Sequence, residues 1–199
     1  NGKVIYNKSF GYHTYENKIA VNNNTIYDIA SITKIASTLL GAMHLQDQEK
    51  FSLDSKLGDY LPELIPDTSE YFNWSLREIL AHQAGLKSWI PFYQSTLYHG
   101  NPDSVIYCKD SSEFYPHRVA EGLYISKFYT DILYKKILNT PLQEKKYVYS
   151  DLGYYFLLKI VEKLSEQKLN NYVGSIYTQL GMSTTGYNPR NRFSLDRIP

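Results

Sequence analysis

The sequence predicts an α+β chain that is mainly helical, with a β-hairpin near its N-terminus. Three observations carry this. Residues 3–12, Lys-Val-Ile-Tyr-Asn-Lys-Ser-Phe-Gly-Tyr, read as two short strands around a turn at Asn7-Lys8. Two apolar segments, from Ser31 to about Gln48 and from Asp151 to about Leu164, repeat with a helical rather than an alternating period. A third, shorter helix follows, and no strand signal comes after it. Two strands alone make a marginal sheet, so either the sheet is very small or the strands that complete it are missing.

The elements are justified in chain order. Asn22-Asn23-Asn24 is a loop. The helix opened by Ser31 has Ile32, Ile35, Ala36, Leu39, Leu40 and Met43 at helical spacing with few charges, and is expected to be buried. Phe51 to Pro66 is a loop with a short helix, punctuated by Pro62 and Pro66. Ser75 reads as an N-cap, with Glu78 completing a capping box, and the helix from Leu76 to His82 is expected to close at Gly85. Residues 87–146 are rich in aromatics with little periodicity, an irregular insertion within one domain spanning 1–199. From Asp151 the second long helix offers Leu152, Tyr155, Phe156, Leu158 and Ile160 for burial. A third spans roughly Leu169 to Leu180 and ends at Gly181.

Composition excludes several classes. The chain has 199 residues, 43% apolar and 21% charged, an ordinary globular balance far from disorder. Lys+Arg number 21 against 20 Asp+Glu, a net charge of +1, which argues against nucleic-acid binding. The pairs Lys135-Lys136 and Lys145-Lys146 read as solvated surface. Cys108 is the only cysteine, so an intramolecular disulfide or a multi-cysteine zinc site is excluded. No apolar run reaches the ~20 residues of a membrane span. The chain starts at Asn1 rather than Met, as a processed or excised form would, so the lack of a signal peptide says nothing about export. The 20 tyrosines suit lined clefts and wet interfaces.

The sequence has no G-x-S-x-G elbow, P-loop or G-x-G-x-x-G. Its five histidines show no H-x-x-x-H spacing, so neither a metal nor a cofactor is expected. What remains is Ser31-Ile32-Thr33-Lys34. A serine and a lysine at i and i+3 share a helix face, and a lysine beside the hydroxyl can activate it as a nucleophile. Ser31 also lies at a helix N-terminus, where the dipole and open N–H groups favour a developing oxyanion. The spacing alone is weak, because Ser165-Glu166-Gln167-Lys168 repeats it at a polar helix end that reads as surface. Tyr149-Ser150-Asp151 is the candidate third group, a tyrosine able to shuttle protons. Tyr15-Glu16-Asn17, Tyr71-Phe72-Asn73 and Tyr129-Thr130-Asp131 have the same type of spacing, so a purely structural Tyr149 stays open on this pattern.

In this order, Tyr27-Asp28-Ile29-Ala30-Ser31-Ile32-Thr33-Lys34, Leu80-Ala81-His82-Gln83-Ala84-Gly85-Leu86, Tyr149-Ser150-Asp151-Leu152-Gly153-Tyr154 and Tyr177-Thr178-Gln179-Leu180-Gly181-Met182 resemble the serine beta-lactamase-like superfamily. That superfamily holds class C beta-lactamases, penicillin-binding DD-peptidases and related esterases. The resemblance covers nearly the whole chain. It implies a beta-lactamase-like α+β fold, here mainly its helical part plus the N-terminal β-hairpin, with the C-terminal sheet strands missing. Carried over, Ser31 is the acyl-accepting nucleophile, Lys34 its proton partner and Tyr149 the general base and acid. Asp151 stands where the family usually has Asn, and an ionised carboxylate cannot donate to a substrate carbonyl as an amide does. The family's third motif, Lys/His-x-Gly on a strand, has no counterpart in place. Lys56-Leu57-Gly58 fits its letters in the wrong order along the chain. The segment from Gln83 to Lys87 with Trp89, Ile90, Pro91, Phe92 and Tyr93 is similar to the version of this domain fused to family 3 glycoside hydrolases of the beta-N-acetylglucosaminidase type.

These features imply a serine acyl-transfer hydrolase acting on a small-molecule or peptide substrate (a beta-lactam, a D-amino peptide, an ester or a muropeptide). Trp89, Phe92 and Tyr93 would serve as cleft wall or as the core of a helical cap. The alternative is a non-catalytic peptidoglycan- or penicillin-binding module of a larger cell-wall glycosidase, favoured by Asp151 and the absent third motif. A penicillin sensor acylated without turnover lies between them, and a helical interaction domain with an accidental S-x-x-K is the plainest reading. Export to the periplasm or cell envelope of a bacterium is the implied setting. An unpaired edge on the expected hairpin at residues 3–12 would offer a template for self-association.

Overall fold

A computed structural model of the chain describes residues 2–199. They form two compact units: residues 2–51 with 161–199, and residues 52–160.

In the first unit, a helix enters at Ile32, widens into a π-helical stretch at Lys34–Leu39 and continues as α1, Leu40–Asp47. Helix α6, Leu169–Gln179, packs against it. A Cβ on Gly41 would stand 3.6 Å from Leu169 Cδ1 and Tyr172 Cδ1 of α6, and 3.0 Å from Val161 Cγ1. Ala42, Leu45, Val161, Leu169, Tyr172, Val173 and Tyr177 form the core. The buried tyrosines also spend their polar tips: Tyr177 donates to the Ala36 carbonyl at 2.6 Å, and the Tyr172 hydroxyl meets His44 Nδ1 at 3.0 Å. Burial raises both phenols above the ordinary tyrosine value. Helix α6 ends as expected: left-handed Gly181 lets its own N–H and that of Met182 reach the carbonyls of Thr178 and Tyr177, at 3.1 and 2.9 Å.

The second unit holds α2, Leu57–Tyr60, and α3, Leu76–Leu80. Two small antiparallel sheets follow. One pairs β1, Leu97–Tyr98, with β2, Asn101–Pro102. The other has β3, Tyr107–Cys108, β4, His117–Ala120, and β5, Leu123–Ile125, in the order β3-β5-β4. Helix α4, Tyr129–Leu138, comes next, and then α5, Leu152–Ser165, whose residues to Ile160 belong to this unit. Leu57, Leu61, Ile65, Trp74, Leu76, Ile79, Ile137, Leu152, Phe156 and Leu157 make its core. Tyr71 stacks within 4.2 Å of Trp74, and its hydroxyl reaches the carbonyls of Ile137 and Thr140, each at 2.8 Å. Burial, with the Glu70 charge adding, pushes this phenol up to about 12, so Tyr71 is a structural tyrosine. Among the described residues no helix is long and apolar enough to cross a membrane.

Four expectations are corrected. Residues 3–10 form no strands, and the only pairing near them is an isolated bridge of Tyr12 with Ala20. Val4 and Ile5 are 79% and 97% exposed; with nothing covering them, two short strands have no face to bury and do not form. The sheet edge on which self-association was expected is therefore not built. Strands arise instead inside residues 87–146, where left-handed His99-Gly100 and Gly122 make tight turns, and α4 lies there too. The helix after Ser31 is buried on one side only: Ile32, Ile35 and Met43 are 57%, 58% and 60% exposed, because no described element covers that face. Finally, α3 closes at His82 rather than Gly85. His82 is left-handed at φ +55°, and the N–H groups of His82 and Gln83 cap the carbonyls of Ile79 and Glu78 at 3.1 and 2.8 Å.

Candidate active site

Ser31 is presented by a tight, strained entry to its helix. Asp28 Oδ1 accepts the Ala30 N–H at 2.7 Å, and Ala30 takes the left-handed conformation at φ +43°. The N–H groups of Ile32, Thr33 and Lys34 then bond back to the carbonyls of Ile29, Ala30 and Ser31 at 3.0–3.1 Å. This turn leaves Ser31 exposed at the start of the helix. One turn on, Lys34 Nζ donates to Ser31 Oγ at 3.0 Å. With a cation's N–H on one lone pair, Oγ is free to give its own proton to a different acceptor. The π-helical stretch begins at Lys34, and such widened turns recur at functional sites.

The second S-x-x-K is different. Lys168 Nζ pairs with Glu162 at 3.2 Å, and Ser165 Oγ turns to the backbone of Gln167. The spacing is shared, but only the first copy brings lysine to serine. Lys56-Leu57-Gly58 is also structural: Leu57 and Gly58 donate to the carbonyls of Trp74 and Phe72 at 2.7 and 3.0 Å, and a Cβ on Gly58 would fall inside the Phe72 ring.

Tyr149 and Asp151 lie in the second unit, on the segment that leads into α5. Its backbone runs along the loop after α3. Gln143 N–H bonds to Gly85 O at 2.8 Å, Val148 N–H to His82 O at 2.9 Å and Asp151 N–H to Ser88 O at 2.8 Å. Gly85 is required for this approach: it is left-handed at φ +71°, and a Cβ there would stand 2.4 Å from Gln143 O. Buried Ser150 ties the two segments together. Its hydroxyl donates to Lys87 O at 2.8 Å and accepts from Leu152 N–H at 3.1 Å, while its N–H donates to His82 Nδ1 at 3.1 Å. Tyr149 is 41% exposed, with its ring 4.6 Å from that of His82. Asp151 is half-buried.

Of the expected cleft residues, Trp89 and Tyr93 are 52% and 59% exposed, whereas Phe92 packs edge-on against Tyr155 at 5.6 Å. Tyr129, another member of the Tyr-x-Asp spacings, donates to Phe92 O at 2.9 Å and staples the 3-10 turn Phe92–Thr96. Ser31 and Lys34 thus belong to the first unit, and Tyr149, Asp151, Trp89, Phe92 and Tyr93 to the second. Sequence reasoning quoted His82 within the Leu80–Leu86 segment of the resemblance but gave it no part in the site.

The first unit also contains a cavity of about 440 Å³ beside the helix that follows Ser31, lined in part by Tyr27, Asp28, Ser37, Tyr177, Tyr187 and Arg192. Ser37 Oγ and the Tyr187 hydroxyl bond across it at 2.5 Å.

The chain is 28% identical over 204 residues to an N-acetylmuramyl-L-alanine amidase of Bacillus subtilis, covering 95% of this chain and 41% of that protein. It is 26% identical over 199 residues to penicillin-binding protein 4* of the same species, covering 99% of this chain and 38% of that protein. Its fold matches the crystal structure of a penicillin-binding protein from Bacillus halodurans with a TM-score of 0.66 at 18% identity, over 100% of this chain and 54% of that one. The chain spans about two-fifths of the length of the curated relatives it matches. The sequence model of the Beta-lactamase family matches residues 1–195, and the chain belongs to that family.

Proposed function

We propose that this chain carries the nucleophile of a serine acyl-transfer hydrolase. The observation that supports this most directly is the 3.0 Å bond from Lys34 Nζ to Ser31 Oγ on a strained helix entry. In this reading Ser31 Oγ attacks an amide or ester carbonyl carbon, and its proton passes to Tyr149, which acts as base in its phenolate form. Lys34 stays charged beside Oγ and lowers the cost of the developing alkoxide. The carbonyl oxygen becomes an oxyanion near the positive end of the helix that starts at Ser31. Collapse of the tetrahedral species breaks the bond to the leaving group, which takes a proton from Tyr149, and leaves an acyl-Ser31 ester. Water then cleaves that ester, with Tyr149 as base again.

The substrate in this reading is a beta-lactam, a D-amino peptide, an ester or a muropeptide, in a cell-envelope setting; the names of two relatives, an amidase and a penicillin-binding protein, support it. Exposed Trp89 and Tyr93 would line the cleft, with Phe92 fixing their loop. Asp151, in place of the usual amide donor, favours a second reading, a peptidoglycan- or penicillin-binding module of a larger cell-wall glycosidase.

The test is covalent labelling. The protein is incubated with a fluorescent penicillin and with a fluorophosphonate, beside Ser31→Ala, and intact mass is read. An adduct on the parent chain that is absent from Ser31→Ala is the expected result. No adduct with either reagent, on this chain and on one extended to the length of its relatives, would overturn the acyl-transfer reading in favour of the binding module.

A further inference from the structure

His82 stands out because its backbone and side chain grip the same short segment. It follows Ala81, the C-cap of α3, and takes the left-handed conformation, φ +55°, where glycine is the usual choice and a Cβ is a strain. Its carbonyl accepts the Val148 N–H at 2.9 Å, and its Nδ1 accepts the Ser150 N–H at 3.1 Å. One residue therefore holds the chain on both sides of Tyr149. Its ring also lies against the Tyr149 ring, 4.6 Å between centroids and tilted by 41°, with Tyr147 and Tyr154 at 6.2 and 6.0 Å. A glycine would suit the turn better but would offer neither the acceptor nor the ring.

We propose that His82 is the positioning residue for Tyr149, fixing the tyrosine's backbone through the Ser150 N–H and its ring by direct packing. This rests on the reading of Tyr149 as the proton carrier for Ser31. The tautomer follows from chemistry: a backbone N–H can only donate, so Nδ1 is bare and the neutral ring carries its proton on Nε2. Protonation of Nδ1 would turn the acceptor into a donor facing another donor and release Ser150. Titratable groups facing the ring include the phenols of Tyr147, Tyr149 and Tyr154. The charged groups on the segments around it are Arg77 and Glu78 on α3, Lys87 on the loop after it, and Glu144, Lys145, Lys146 and Asp151 on the facing segment, with Glu78 paired to Lys145 and Arg77 to Asp54.

The experiment compares His82→Gly and His82→Asn in the full 199-residue chain. Glycine relieves the turn and removes the acceptor. Asparagine tolerates the left-handed turn and puts Oδ1 at the same bond distance from the backbone as Nδ1, without a titrating ring. Two readouts are taken: the Ser150 amide by NMR, as exchange protection and as a shift titration from about pH 5 to 8, and the fluorophosphonate labelling rate of Ser31. His82→Gly is expected to keep or raise the melting temperature yet lose about tenfold in Ser150 protection and in labelling. His82→Asn is expected to restore most of both and to abolish the pH response of the Ser150 amide. Unchanged protection and labelling in His82→Gly, or no recovery in His82→Asn, would overturn the proposal. Tyr149→Phe separates it from the reading it rests on: if that variant labels at the parent rate, the proton-carrier role fails, and the Ser150 amide alone decides whether His82 positions the segment.

Discussion

Ala30 bears the local cost of presenting Ser31. Its φ of +43° puts a Cβ in the left-handed region, held there by the Asp28 side chain and by the start of the helix ladder. Strain of this kind persists only where the surroundings over-determine it, and here it sits one residue before the candidate nucleophile. Ala30→Gly removes the Cβ penalty while adding some unfolded-state entropy, so the net effect should be a gain of about 0.5–1 kcal/mol, seen as a higher urea midpoint with an unchanged slope. The same change frees the turn and should slow labelling of Ser31. A variant no more stable than the parent would show that the turn stores no strain. Gly85 makes the opposite case. Gly85→Ala places a methyl 2.4 Å from Gln143 O at φ +71° and should cost about 1–3 kcal/mol, because the two segments that hold Tyr149 must part. A Gly85→Ala protein with the parent's midpoint would mean the approach is slack.

At the scale of the element, α3 depends on Glu78. Its Oε2 accepts the Ser75 N–H at 3.2 Å, the Ser75 hydroxyl accepts the Glu78 N–H at 3.2 Å, and Lys145 Nζ reaches Oε1 at 2.6 Å. The Lys145 bond, helped by those from Ser75 and opposed by burial, holds the Glu78 carboxyl below the usual range. A carboxyl depressed by folding stabilises the native state above its unfolded value, about 4.3, and that contribution fades as pH falls through the folded value. Glu78→Ala should therefore cost about 1 kcal/mol at pH 7 in urea titrations, with a smaller gap from the parent at pH 3.5. A gap that widens in acid would reverse the sign and refute this account. This capping box was legible in the sequence because all its chemistry lies within four residues, as was the Gly181 closure of α6 and the burial of Leu152, Phe156 and Ile160 in α5. The Ser31–Lys34 pair was legible for the same reason. Strands at residues 3–10 were not decidable locally, because a strand exists only by pairing with partners elsewhere in the chain. His82 stood in a segment of the resemblance, but its role was not legible because a left-handed turn made by a histidine leaves no compositional mark.

For the molecule as a whole, the question is what its exposed apolar side chains do in water. Ile35 and Met43 are 58% and 60% exposed on a helix whose opposite side buries Ala42 and Leu45, and Val4, Ile5 and Phe10 are also in solvent. The net charge is +1, so electrostatic repulsion between molecules near neutral pH is weak and does little to oppose contact through these side chains. Stability and solubility should then separate. Replacing Ile35 and Met43 together with glutamine removes apolar surface that is already largely in water, so the unfolding free energy should change by less than about 0.5 kcal/mol per site. Dye binding that reports exposed apolar surface should fall, and the soluble concentration near neutral pH should rise. Leu45→Ala, fully buried on the other side of the same helix, should instead cost about 2–5 kcal/mol and leave dye binding to the folded protein unchanged. If the double glutamine variant lost stability on the scale of Leu45→Ala, the Ile35–Met43 face would be packed in solution, and the one-sided burial of the helix that follows Ser31 would be wrong.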